Sequence, residues 1–161
     1  MLFRSIPAAA GFYYFVFNVG QVTIAVTDDE IGKFQSLNIT FSEIRVHTTT
    51  AVTPDSWVSV KLAQTTVDLT KLRNNISAVI GLARIPAGEY TQLRIVVQSA
   101  DGVLSNGQRV LVRVPSGELN TEAAFTMGAQ GVIYIVVRLH VLDFGGAYQL
   151  QPALGSIESG G

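Results

Sequence analysis

The residues best equipped for chemistry in this chain are two histidines, His47 and His140, and one acidic run, Asp28-Asp29-Glu30. An imidazole changes charge near neutral pH and can carry a proton or ligate a metal. The two histidines stand far apart, in no HExxH or His-x-His spacing, on segments patterned like strands. Either could approach Asp28 or Asp143 in a fold, but the plain expectation is a solvated histidine on a strand face. The acidic run offers the carboxylate oxygens that calcium takes. Its spacing fits no EF-hand or repeat loop, so a solvated turn is expected there.

Other catalytic constellations are missing from the sequence. No serine stands in a Gly-x-Ser-x-Gly elbow, and no glycine-rich run leads into a helix as a phosphate loop does. The absence of cysteine removes thiol nucleophiles, disulfides and Cys-based zinc or iron–sulfur sites. The expectation is a protein that is not an enzyme, with no catalytic residues, no metal site, no cofactor and no small-molecule substrate. Two acceptor sequons occur, Asn38-Ile39-Thr40 and Asn75-Ile76-Ser77. Asn38 and Thr40 fall on the polar face of their segment, where a glycan would leave the core undisturbed.

The elements that carry these residues read as strands. In "GQVTIAVTDDE", Val22, Ile24 and Val26 alternate with Thr23, Ala25 and Thr27, a period of two. "FQSLNITFSEIRVH" turns Leu37, Ile39 and Phe41 inward and resumes with Ile44 and Val46 after a phase slip at Ser42-Glu43, which one extra residue, a β-bulge, would produce. The polar loop "TTTAVTPDS" follows, then extended pieces around Trp57 and Thr66. "TKLRNNISAVIGLARIPAG" is the one place with a weak signal for a short helix, closed by a turn at Pro86 and Gly88. "EYTQLRIVVQ" has the pattern of a central strand. "SADGVLSNGQRVLVRV" carries Asp101-Gly102 and Asn106-Gly107, and Asn-Gly is the strongest short hairpin signal because both residues tolerate positive φ. "AAFTM" and "GVIYIVVRLHVLDF" supply two more strands. Short strands at regular spacing predict an all-β antiparallel β-sandwich, jelly-roll or immunoglobulin-like, with at most one short helix.

Composition agrees. The 161 residues suit one domain with a sizeable core, and 48% hydrophobic content is globular. Only 14% of residues are charged, the net charge is −1, and the 11 Lys and Arg form no cluster, so no nucleic-acid partner is expected. No run reaches the ~18 to 20 apolar residues of a membrane-spanning helix.

The stretch "AAAGFYYFVFNVG" departs from the strand pattern. Phe12, Tyr14 and Val16 lie on one face and Tyr13, Phe15, Phe17 and Val19 on the other, so neither face is polar. The small residues of a cleavage-like site precede this run rather than follow it, so it reads as mature structure and not as a signal peptide. Burying about six such side chains is worth roughly 1.5 to 3 kcal/mol each, on the order of 10 kcal/mol as an upper bound. Left exposed, they would make an aggregation-prone edge.

Five motifs, "GQVTIAVTDDE", "LNITFSEIRVH", "VDLTKL", "IPAGEYTQLRIVV" and "YQLQPALG", together resemble the domain of unknown function 4382 family over residues 19–154. That family occurs in secreted and lipid-anchored surface proteins of bacteria and archaea. The resemblance implies an exported β-sandwich, extracellular or at the cell surface, with no catalytic residues to carry over. The chain departs from the family in two ways. Asp29-Glu30 stands where a small residue and proline usually follow the first aspartate. Where an export signal or lipid-attachment cysteine usually precedes the first strand, this chain has "IPAAAGFYYFVFN".

The expected organisation is an N-terminal extension, residues 1–18, and a single β domain, residues 19–161. The extension is a candidate donor strand that completes the sheet of an identical neighbour, with Phe12, Tyr13, Tyr14, Phe15, Val16, Phe17 and Val19 at the subunit interface. Head-to-tail insertion that does not close builds a filament, pilus-like or of a biofilm matrix. The alternative is a monomeric surface module for glycan or protein, with the aromatic strand in its own core. A hydrophobic helix at the N-terminus would also suit a filament, but Gly11, Asn18, Gly20 and the β-branched and aromatic residues disfavour one.

Overall fold

The computed structural model describes residues 18–29, 31–49, 56–74 and 76–160. Residues 12–17 of the candidate donor strand, Glu30, most of the "TTTAVTPDS" loop and the sequon residue Asn75 lie outside them. Period-two alternation of apolar and hydroxyl-bearing residues puts most of the described chain into ten strands. These are β1 (Val19–Asp28), β2 (Phe34–Thr48), β3 (Trp57–Val60), β4 (Thr66–Asp68), β5 (Ser77–Pro86), β6 (Gly88–Leu104), β7 (Arg109–Arg113), β8 (Glu118–Met127), β9 (Val132–Asp143) and β10 (Tyr148–Gly160). The all-β expectation holds. In place of a short α-helix, the weakly helical segment forms a 3-10 turn at Leu69–Leu72 and then β5, and a second such turn spans Pro115–Gly117.

All ten strands join one sheet in the order β3-β2-β6-β7-β10-β9-β1-β5, with β4 added on β2 and β8 on β6. The expected antiparallel sandwich needs correction here. β1 runs parallel to β9 along Gln21↔Val132 to Asp28↔Leu139, and β10 meets β7 in parallel at Tyr148↔Val112 and Gln149↔Arg113. The sheet also nearly closes on itself. Leu62 bridges Gly81, the Leu82 N–H donates to the Lys61 carbonyl at 3.0 Å, and the Ala63 N–H donates to the Ile80 carbonyl at 2.8 Å. The result is barrel-like with mixed pairing. Period-two patterning reveals which side chains face inward but not the direction of the neighbouring strand, so parallel pairs are invisible to it.

One apolar cluster fills the interior, with Leu37, Ile39 and Phe41 of β2 against Leu93 and Ile95 of β6. The pairing of β2 with β6 shifts register between Phe41 and Glu43, the bulge expected from the phase slip. β1 is covered on both sides. Val22, Ile24 and Val26 are fully buried in the core, and Thr23, Ala25 and Thr27 on the other face are also buried. The Thr27 hydroxyl is placed within bonding distance of two carbonyls of the segment crossing it, 2.6 Å from Ile76 O and 3.4 Å from Leu72 O. Asn106-Gly107 makes the expected turn between β6 and β7, with Gly107 at φ +89° and Asn106 Oδ1 accepting the Gln108 N–H at 2.9 Å. Asp101-Gly102, which resembles a turn in sequence, stays inside β6. A Cβ at Gly102 would lie 2.5 Å from the Phe34 ring, so glycine there makes room for packing.

Candidate functional site

The N-terminal segment joins the barrel at a fixed root. The Val19 carbonyl accepts the Gln130 N–H, and the Gln21 N–H donates to the Gly131 carbonyl, each at 2.8 Å. The Asn18 carbonyl accepts the Ala87 N–H at 2.7 Å. These bonds clamp the start of β1 between the β8–β9 and β5–β6 turns. Gly20 makes the close approach possible, because a Cβ there would run into Met127 Sδ and lie 2.8 Å from the Gly131 carbonyl. A cavity of about 170 Å³ lies at this end, lined by Val19, Gly20, Gln21, Arg84, Gln130, Gly131 and Val132. Of the interface residues expected from sequence, Val19 is buried in this chain's own β1, opposite Pro86 of β5.

The "IPAGEY" segment explains one side of that root. Gly88 has φ +148°, a region that favours glycine, and the buried Tyr90 hydroxyl donates to the Pro86 carbonyl at 2.7 Å. The Tyr90 ring stacks on Phe125 of β8 with centroids 5.0 Å apart. The turn that receives Asn18 is therefore locked to the β6–β8 pair.

Charged groups gather at the opposite end. Asp28 Oδ1 accepts the Ile31 N–H at 3.2 Å, and the Arg73 Nε lies 3.9 Å from Asp28 Oδ2. His140 Nδ1 lies 3.8 Å from Asp29 Oδ2, so the histidine does approach the acidic run, and the carboxylate involved is that of Asp29. That distance is too long for a hydrogen bond. Lys33 donates to Asp143 Oδ2 at 2.7 Å, which raises the lysine above its ordinary value and holds the Asp143 carboxyl below its own. Among the described residues no three His, Asp or Glu converge as metal ligands. The arrangement ties loops together and aligns no nucleophile with a base.

His47 belongs to the outer face of the sheet. Its Nδ1 lies 3.1 Å from Thr91 Oγ1, its ring meets Trp57 edge-on at 4.9 Å, and the Arg94 guanidinium sits 4.2 Å over the Trp57 ring. Arg94 Nε also donates to Asn120 Oδ1 at 3.0 Å and lies 3.4 Å from Glu118 Oε1. Asn38 is exposed on the same sheet, where Thr40 shares a hydroxyl contact with Thr66 at 3.2 Å.

Asp68 has a structural role that sequence reasoning missed. Its Oδ1 accepts the Leu37 N–H at 3.1 Å, the Thr70 N–H at 3.0 Å and the Thr70 hydroxyl at 2.7 Å, which pins the 3-10 turn to β2. Burial works to raise this carboxyl, but the three accepted bonds outweigh it and hold the group below its ordinary value. The Asp-x-Thr spacing in "VDLTKL" is the signal that points to such a cap.

Neither the curated proteins nor the solved structures contain a match to the chain. The family model of the domain of unknown function DUF4382 matches residues 19–147, which takes in β1 to β9 and stops where β10 and the "YQLQPALG" motif begin. On that match, over most of its length, the chain belongs to the DUF4382 family.

Proposed function

We propose that this protein is the structural subunit of an extracellular filament, in which residues 12–17 insert as a donor strand into the next subunit. The observation that carries this reading is the aromatic run itself. Phe12, Tyr13, Tyr14, Phe15, Val16 and Phe17 leave no polar face, they precede the family-matched region, and they join a rigid root at Asn18 without a spacer. An apolar strand with two faces needs cover on both, and a neighbouring sheet supplies backbone partners as well as burial. The partners are identical chains in a head-to-tail polymer, at the cell surface or in a matrix. Deleting residues 1–18 is expected to give soluble monomers that no longer polymerise. Fibres formed by the truncated chain would refute the proposal.

A monomeric glycan-binding or protein-binding module is the second reading, favoured by one observation. Trp57, His47 and Arg94 form an aromatic and cationic group on the outer face of β2, β3 and β6. Under that reading Trp57→Ala abolishes retention on a glycan array while the chain stays monomeric. Under the filament reading Trp57→Ala polymerises like the parent.

A further inference from the structure

We infer that the acceptor for the donor strand is the free edge of β8 in a second copy of this chain, and that the donor enters antiparallel to it; this rests on the filament reading above. β8 pairs with β6 on one side only, along Gly88↔Met127 to Val96↔Glu118. Among the described residues no strand hydrogen-bonds to its other side, which β10 approaches over part of its length without pairing. The remaining edges suit a donor less well. β3 and β4 are four and three residues long. The edge of β5 is taken at residues 80–82 by the segment after β3. Beyond Gln149, β10 also has one partner, but it contains Pro152, which has no N–H, and its register shifts between Leu154 and Ser156. β8 is ten residues long with neither proline nor glycine. Its inward side chains Leu119, Ala123, Phe125 and Met127 are buried, while Asn120, Glu122, Ala124 and Thr126 are exposed.

The direction follows from the root. Met127 packs beside Gly20, so β8 runs toward the end of the barrel from which the N-terminal segment departs. In a head-to-tail stack of equally oriented subunits, that segment leaves one barrel at its root end and reaches the next at the opposite end, where β8 begins at Glu118. Residue 17 then lies near the start of the acceptor β8 and residue 12 farther along it, toward Met127. Six residues extend about 20 Å, within the roughly 33 Å of a ten-residue strand.

The chain contains no cysteine, so introduced thiols are unique. The test mixes two singly substituted full-length chains, one altered in the donor and one in β8, and joins them with a short bis-maleimide after assembly. Phe12→Cys with Ala124→Cys, and Phe17→Cys with Asn120→Cys, are expected to give a band of doubled mass. The swapped pairs, Phe12→Cys with Asn120→Cys and Phe17→Cys with Ala124→Cys, are not. Tyr14→Cys with Glu122→Cys gives the same readout should loss of a phenylalanine ring prevent insertion. Fibres whose donor thiols join Ser156→Cys on β10 but no β8 position overturn the acceptor, and fibres that join β8 only in the swapped pairs overturn its direction; both leave the filament reading standing. Bridging of donor and β8 thiols within one doubly substituted chain, with no intermolecular product, overturns insertion into a neighbour. Absence of fibres together with absence of cross-links overturns the filament reading itself.

Discussion

Individual polar side chains hold the turns of this protein to its strands. Asp68 is the clearest case, because one carboxylate oxygen accepts three bonds that join the 3-10 turn to β2. Asp68→Ala is expected to lower stability by about 1 to 2 kcal/mol, the usual loss for a capping side chain, as read by urea unfolding at pH 7. Its pH dependence has a definite sign. The folded carboxyl sits below its ordinary value, so its contribution is full above that value and is lost as pH falls through the folded one. The stability difference between the parent and Asp68→Ala therefore narrows as pH falls from the ordinary carboxyl range through the lower folded value. Tyr90→Phe keeps the stack on Phe125 but leaves the Pro86 carbonyl without this donor. It is expected to cost about 1 to 2 kcal/mol in the same assay. A parent-like midpoint for Tyr90→Phe would show that the hydroxyl does not lock the turn.

At the scale of elements, the root of β1 is the part on which the functional account depends. Gly20→Ala places a Cβ against Met127 Sδ, which can move, and 2.8 Å from the Gly131 carbonyl, which is backbone held by its own turn. The expected loss is about 1 to 3 kcal/mol of thermal or urea stability, typical of overpacking a tight site. Unchanged stability would mean that the β8–β9 turn yields freely and that the clamp is loose. Strand patterning made much of this architecture legible in advance: the inward rows of β2 and β6, the bulge after Phe41 and the Asn106-Gly107 turn. The parallel contact of β1 with β9 was not legible. Val22, Ile24 and Val26 alternate in the same way whatever the direction of their neighbour, and the cover over Thr27 comes from a crossing segment distant in sequence. Asp101-Gly102 misled for a related reason, since glycine serves close packing against Phe34 as readily as it serves a turn. The charged end was half legible. The plain expectation for His140 was a solvated strand face, with Asp28 or Asp143 as the acids it could approach; its place 3.8 Å from Asp29 depends on the register of β9 against β1.

For the whole molecule, the sheet nearly closes on itself and leaves one side of β8 without a strand partner among the described residues. The segment after β3 covers β5, β7 joins the two halves through β10, and one apolar cluster fills the space between them. The aromatic run of residues 12–17 directly precedes the fixed root at Asn18, and under the filament proposal it connects one copy to the next. Polymerisation is expected to require residues 1–18, and the barrel is expected to fold without them. The two forms are then expected to share the same circular dichroism in the strand region while differing in assembly state. The most direct measurement is electron microscopy of the purified full-length chain beside the chain lacking residues 1–18, at matched concentration. Fibres of regular width are expected from the full chain and dispersed particles from the shortened one; dispersed particles from both would contradict the filament proposal.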